Sequence, residues 1–230
     1  MFNEIVRKLP TNEVEIEVSN GYATHIRSGK SEFHLIGQDS SEYPLLPELS
    51  ADQQFSIPAD LLKTIIRETV FAVATSESRP VLTGVHWHIH NDELICVATD
   101  SHRLARRKVK LDQLPTEVNS VVIPGKSLNE LNKILEDSTN PVQIVMTSQQ
   151  VLFKTEGVLF FSRLLEGNYP DTSRLIPTDF KTSVIIDGKA LLQAIDRASL
   201  LAREDRNNVV RFETIETNVV EISSNSPEIG

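Results

Sequence analysis

The chain has 230 residues, with 23 Lys and Arg against 32 Asp and Glu and a formal net charge of −9. That is one or two domains' worth, too acidic to coat nucleic acid over its whole surface, although a local basic face stays compatible with it. Apolar residues make up 40% and charged residues 24%, which is the balance of a chain that buries a core and not of a disordered one. No stretch approaches the roughly 18 apolar residues that span a bilayer. Met1-Phe2-Asn3-Glu4 carries an acid where a signal peptide is basic, and Cys96 is the only cysteine, so there is no intrachain disulfide and a cytoplasmic location is expected.

In chain order, Val14-Glu15-Ile16-Glu17-Val18 alternates as a strand, and Asn20-Gly21 predicts a tight hairpin turn. Three later segments share a strand-then-helix pattern and begin at Ile57, Ile123 and Ile186, 66 and 63 residues apart. They read Phe55-Ser56-Ile57-Pro58-Ala59-Asp60-Leu61-Leu62, Val122-Ile123-Pro124-Gly125-Lys126-Ser127-Leu128 and Ile185-Ile186-Asp187-Gly188-Lys189-Ala190-Leu191. In each, β-branched residues give way to Pro or Asp and a small residue where a helix starts, and an apolar stripe such as Leu61, Leu62, Ile65 and Ile66 follows. Phe2 to Leu9 also resembles Leu128 to Leu135, and Tyr43-Pro44 resembles Tyr169-Pro170, both at an offset of 126. A unit of about 65 residues is thus half of a larger repeat. Further strands are predicted at 85–90, 94–98, 143–146, 158–164 and 219–222. One helix per several antiparallel strands, repeated, predicts an α+β fold with helices on one face of each sheet.

Candidate chemistry is sparse. Gly29-Lys30-Ser31 and Gly125-Lys126-Ser127 lack the earlier glycine of a phosphate loop, since Thr24 and Ser120 stand there, and the second triplet reads better as a helix start. His86, His88 and His90 alternate, so they share one strand face; a metal site is conceivable, but a solvated face opposite a buried Val85, Trp87 and Ile89 is preferred. Asp100-Ser101-His102 has the residue types of a nucleophilic triad, yet neighbours on extended chain point apart. Cys96, inside Leu94-Ile95-Cys96-Val97-Ala98, reads as a buried hydrophobe. No catalytic residue, metal or cofactor is assigned. Arg103, Arg106, Arg107, Lys108 and Lys110 form a basic stretch with no acid before Asp112, which fits either a solvated edge strand or a patch for nucleic acid or an acidic partner.

Val97-Ala98-Thr99-Asp100-Ser101-His102-Arg103-Leu104-Ala105, Leu164-Leu165-Glu166-Gly167-Asn168-Tyr169-Pro170-Asp171 and Glu77-Ser78-Arg79-Pro80-Val81-Leu82-Thr83-Gly84 carry a specific resemblance. The whole chain resembles the bacterial sliding clamp family, the beta subunits of DNA polymerase III, in wording most similar to low-GC Gram-positive members. The resemblance implies a DNA-clamp fold of three similar domains, each of two half-domain units. On that template residues 1–54 are the second half of domain one, 55–181 a complete domain two, and 182–230 the first part of domain three, so a fragment is expected.

It further implies a non-enzymatic processivity factor that closes head to tail as a homodimer around duplex DNA, without sequence recognition and without a membrane. Expected partners are the polymerase III catalytic subunit, the clamp loader, translesion polymerases, mismatch-repair proteins and ligase, which dock through short peptides. Carried over residue by residue, the peptide cleft is Leu82, Thr99, Ser101, His102, Arg103, Leu104, Pro170, Arg174 and Leu175, with Ser101 where many members have glycine. The DNA-facing cations are Arg7, Lys63, Arg67, Arg79, Lys133 and Arg197. Phe33 and Leu35 on one side and Leu200 and Leu201 on the other match the dimer contact. The alternative is an interaction scaffold that binds partner peptides without encircling DNA.

Overall fold

The structure, a computed structural model, describes residues 1–42, 54–112, 120–204, 209–216 and 218–225, leaving aside the side chains of Leu201, Arg203 and Glu204. The expected Tyr43-Pro44 half of the long-range repeat lies outside the described residues. The chain divides into two compact units, Met1–Pro170 and Asp171–Gly230.

The first unit opens with a short helix α1 (Phe2–Arg7) and strands β1 (Glu15–Val18), β2 (Ala23–Ser28) and β3 (Ser31–Ile36), which form one antiparallel sheet in that order. Its register sets Ile16 beside Ile26 and Ile26 beside Phe33. Because successive side chains alternate faces, Ile16, Ile26, Phe33 and Leu35 share the side on which Ile26 is fully buried, and Glu15, Glu17, His25, Arg27, Glu32 and His34 share the other. The hairpin expected at Asn20-Gly21 is present but wider. Ser19 donates its N–H to the Ala23 carbonyl, and the positive φ values fall on Gly21 and Tyr22, not on Asn20. Gly29, the first glycine of the rejected phosphate loops, is the left-handed residue of the β2–β3 turn, with φ +57°.

Two half-units of one design follow. The first is β4 (Gln54–Pro58), α2 (Ala59–Thr69), β5 (Gly84–His90), β6 (Glu93–Thr99) and β7 (Leu104–Lys110). The second is β8 (Val121–Pro124), α3 (Gly125–Ile134), β9 (Pro141–Met146), β10 (Gln150–Thr155) and β11 (Val158–Arg163). Each lends its first strand to the other: the sheets run β7-β6-β5-β8 and β11-β10-β9-β4, all neighbours antiparallel. The exchange makes one core of the two halves, with Leu62, Ile65 and Ile66 of α2, Leu128 and Leu131 of α3, and Val85, Trp87, Ile123, Ile144 and Phe153 from the strands in a single buried cluster. Trp87 meets Phe153 edge to face at 6.0 Å between ring centres.

The helices begin where the repeat places them, at Ala59 and Gly125. Proline precedes both and offers no side-chain cap, so the first N–H groups of α2 are satisfied from elsewhere. Ala59 donates to the Asn140 carbonyl and Asp60 to that of Ser138, at 3.0 and 2.9 Å. A Cβ on Gly125 would stand 3.0 Å from the Thr83 carbonyl oxygen, so its glycine serves packing. The strands β2, β3, β10 and β12 (Arg211–Glu216) are not among those expected from alternation, and β7 is one of the two readings of the basic stretch.

The second unit holds α4 (Gly188–Glu204) and a hairpin of β12 and β13 (Val219–Ser223). Asp187 caps α4, its Oδ1 accepting the Ala190 N–H at 2.8 Å. The third copy of the pattern is therefore correct in its helix and incorrect in its strand: residues 184–187 are irregular and Ile185 is fully exposed. In the first unit β4 and β8 are strands because β9 and β5 pair with them; among the described residues nothing pairs with 184–187.

Candidate functional site

The segment between β6 and β7 is a tightly turned loop held by its own side chains. Thr99, 5% exposed, donates its hydroxyl to the Arg103 carbonyl at 2.7 Å and accepts the Ser101 N–H at 3.2 Å. Asp100 accepts the N–H groups of both His102 and Arg103 on Oδ1 at 3.0 Å, and its Oδ2 takes Arg103 Nε at 3.1 Å. Those backbone donors, His102 first, hold the Asp100 carboxyl below its ordinary range. Asp100 is thus a turn-former, and Asp100-Ser101-His102 is not arranged as a relay. Ser101 sits at φ +77°, a left-handed geometry that a glycine adopts without cost, so the serine is strained where glycine would not be.

The loop is tied to the rest of the unit by a residue the sequence reading passed over. Tyr169 accepts the Thr99 N–H on its hydroxyl at 3.0 Å, and its ring stacks on His86 with centres 4.9 Å apart and planes at 12°. Burial pushes the Tyr169 hydroxyl up to about 12 and the His86 imidazole down to about 4, the latter aided by His88. This corrects the expectation of a solvated histidine row: His86 and His88 are half-buried and stacked on each other, and only His90 is exposed. Val85, Trp87 and Ile89 are buried as expected, and Cys96 is fully buried with its thiol pushed up. His86, Ser120, Gln149, Arg163, Glu166 and Tyr169 line a polar groove of about 1030 Å³ beside β8 and β11.

Of the other cleft positions, Leu82 lies under the Pro80–Thr83 turn and is 3% exposed, while Leu104 is half-buried opposite Thr99. His102 and Pro170 are exposed, and Arg103 lies over the Phe71 ring at 5.7 Å, with Phe71 itself 54% exposed. Arg174 and Leu175 belong to the second unit, where both are exposed. The basic stretch is the edge strand β7, and most of its charge is answered locally. Arg107 pairs with Glu68 at 3.3 Å, Lys108 with Glu93 at 2.9 Å and Lys110 with Asp92 at 3.2 Å. That leaves Arg106, exposed and without an acid within 4 Å among the described residues.

Comparison with known proteins agrees with this architecture. Residues 56–171 match the central domain of the DNA polymerase III beta subunit, 1–47 its N-terminal domain and 173–230 its C-terminal domain. The chain belongs to the DNA polymerase III beta subunit family. It is 62% identical over 229 residues to the beta sliding clamp of Bacillus subtilis and 52% identical to that of Staphylococcus aureus, covering all of this chain and 61% and 60% of theirs. Among solved structures, a sliding clamp of Bacillus subtilis superposes with a TM-score of 0.90 at 62% identity, and the beta subunit of Streptococcus pyogenes with 0.86 at 40%. Both cover this whole chain, which in turn covers 60% and 62% of them. The chain therefore spans about 60% of the length of the relatives it matches.

Within this beta-subunit frame the six nominated cations differ. Arg7, Arg67, Arg79 and Arg197 are exposed and have no acid within 4 Å among the described residues. Lys133, also exposed, pairs with Glu130 at 2.7 Å. Lys63 is drawn inward: its ammonium donates to the Leu135 carbonyl at 3.1 Å and pairs with Asp137 at 2.8 Å, leaving the side chain 15% exposed. Phe33 and Leu35 are half-buried on the inner face of β3, an edge strand, and Leu200 is 63% exposed on α4. The Leu201 side chain lies outside the described residues. No described helix is long and apolar enough to cross a membrane.

Proposed function

We propose that the chain is part of a non-catalytic processivity clamp, which encircles duplex DNA as a head-to-tail ring dimer and docks partner proteins by short peptides. The proposal takes 1–54, 55–181 and 182–230 as successive clamp domains. It takes the polymerase III catalytic subunit, clamp loader, translesion polymerases, mismatch-repair proteins and ligase as the docked partners, in the cytoplasm. The observation that carries it is the Thr99–Leu104 loop, pre-formed by Asp100 and Tyr169, with Arg103 over an exposed Phe71. A loop already ordered loses little entropy when an apolar peptide settles on it. Leu82, Thr99, Ser101, His102, Arg103, Leu104 and Pro170 supply this docking surface, and resemblance to the family nominates Arg174 and Leu175 for the same role. Phe33, Leu35, Leu200 and Leu201 are the ring contacts, and Arg7, Lys63, Arg67, Arg79, Lys133 and Arg197 the cations nearest DNA.

Titration of a fluorescent polymerase-type clamp-binding peptide tests the reading. Saturable binding that weakens at least tenfold in both Arg103→Ala and Arg174→Ala supports it, and absence of binding by a folded chain overturns the cleft. Leu82→Lys is a poor control, because a buried lysine would unfold the site rather than block it. A second reading, a peptide-binding scaffold that does not embrace DNA, is favoured by the engagement of Lys63 and Lys133 with Asp137 and Glu130. Retention on nicked circular DNA but not on linear DNA separates the two.

A further inference from the structure

The outer face of the β1–β2–β3 sheet gathers side chains that no part of the clamp reading uses. His25 and His34 are direct cross-strand partners, and their Nδ1 atoms face each other at 2.8 Å with rings at 87°. Glu32, two positions from His34 on the same face of β3, places a carboxylate oxygen within 4.8 Å of a ring nitrogen of each. We propose that His25, His34 and Glu32 form a surface site for one divalent transition-metal ion of the zinc, nickel or copper class.

Three observations support the site. The imidazole nitrogens already converge, and two ligands at about 2.0–2.1 Å from a tetrahedral ion stand roughly 3.3 Å apart. The pair therefore has to open by about half an ångström, a small rotation for a half-buried and an exposed side chain on a fixed sheet. The face is also acidic, with Glu15, Glu17 and Glu32 against Arg27 alone. Finally, Glu32 can be released to a metal. It is held by Arg27 Nε at 3.0 Å, but the same guanidinium lies 3.5 Å from Glu17 and 3.9 Å from Glu15, so it keeps carboxylate partners when Glu32 turns to the ion. Two imidazoles and one carboxylate suit zinc, nickel or copper and offer little to magnesium or calcium, which prefer all-oxygen shells. The remaining positions on the ion go to water or to a group of another molecule.

Isothermal titration of the 230-residue chain with zinc chloride, and separately with magnesium chloride, tests this. Expected are one zinc ion per chain, no saturable magnesium binding, and at least a tenfold loss of zinc affinity in His25→Ala and in His34→Ala. Glu32→Gln should give a smaller loss of a few-fold, since it removes a charge and not an imidazole. Far-ultraviolet circular dichroism confirms that the variants remain folded, and His34→Gln, of similar polarity, repeats the measurement with less disturbance of the hairpin. Zinc binding unchanged in the His25→Ala, His34→Ala double variant would assign the ion to other histidines such as His88 and His90 and overturn the site. So would zinc binding no tighter than magnesium.

Discussion

Replacing Tyr169 by Phe removes one oxygen and tests whether the docking loop is held from outside. In the native arrangement that oxygen accepts the Thr99 N–H at 3.0 Å, at a residue only 5% exposed. The phenylalanine ring keeps the stacking on His86, so the change isolates the hydrogen bond. A buried amide left without an acceptor costs about 1–3 kcal/mol, more than the net value of an average hydrogen bond, because its desolvation is no longer offset. Tyr169 is not fully enclosed and water can approach part of the gap, so the expected loss is about 1–2 kcal/mol. Trp87, the only tryptophan, is fully buried in the shared core of the same unit and reports its unfolding by fluorescence. With a urea slope of about 2 kcal/mol/M, the midpoint should fall by roughly 0.5–1 M. The same variant should bind the clamp peptide several-fold more weakly, since Thr99 anchors both Ser101 and Arg103. An unchanged midpoint with unchanged peptide affinity would refute the claim that Tyr169 pre-forms the loop.

Gly84→Ala should destabilise the first unit by about 1–3 kcal/mol in the same urea assay. Its Cβ would stand 2.7 Å from the Ile123 carbonyl oxygen and 2.8 Å from Leu165 Cδ1, where β5 receives the exchanged strand β8. Ser101→Gly should be neutral or raise the melting temperature slightly, and Ser101→Val should lower it by the equivalent of more than about 1 kcal/mol, because φ is +77° there. His86, with its pKa lowered to about 4 from 6.5, binds fewer protons folded than unfolded. Stability is therefore complete above about pH 6.5 and falls as the pH drops toward 4, and His86→Gln should flatten the Trp87-monitored stability profile over that window. Tyr169 has the opposite chemistry: raised to about 12, it makes the fold lose stability as pH rises above about 10, a loss that Tyr169→Phe removes.

How much was legible in the sequence depended on whether neighbours in the chain were also neighbours in space. The starts of α2, α3 and α4 were readable because Pro58-Ala59, Pro124-Gly125 and Asp187-Gly188 act within one turn. The α+β class followed from the same repeat. The strand exchange was not readable, since nothing local to Phe55-Ser56-Ile57 says that it pairs with β9, about 90 residues on, and not with its own half-unit. The histidine row shows the same limit. Alternation put His86, His88 and His90 on one face correctly, but Tyr169, 83 residues beyond His86, is what covers that face. The docking loop was named by resemblance, and its internal logic could not be: that Asp100 caps the turn and Ser101 is left-handed are consequences of backbone geometry. Tyr169 stood beside the nominated Pro170 and was passed over because nothing in the sequence points a tyrosine hydroxyl at an amide 70 residues earlier.

The charge arrangement bears on how such a chain could hold DNA. The most conspicuous basic run, Arg103 to Lys110, is spent on keeping β7 attached: Arg107 pairs with α2, Lys108 and Lys110 with the β5–β6 hairpin, and Arg103 with its own turn. Of the six nominated cations Lys63 and Lys133 are likewise engaged, and Arg7, Arg67, Arg79 and Arg197 are exposed with no acid within 4 Å among the described residues. Each phosphate contact contributes a salt-dependent increment to affinity, so in the proposed clamp a handful of such contacts on a body of net charge −9 would give weak binding that physiological salt largely erases. Weak contact is a defect in a protein that must grip DNA through its surface and an advantage in one that is closed around it. Topology then supplies retention, and each strong phosphate contact would have to be broken at every step of sliding. In the proposed clamp, closure around DNA would supply retention, and the pre-formed Thr99–Leu104 loop would direct affinity to the partner peptide.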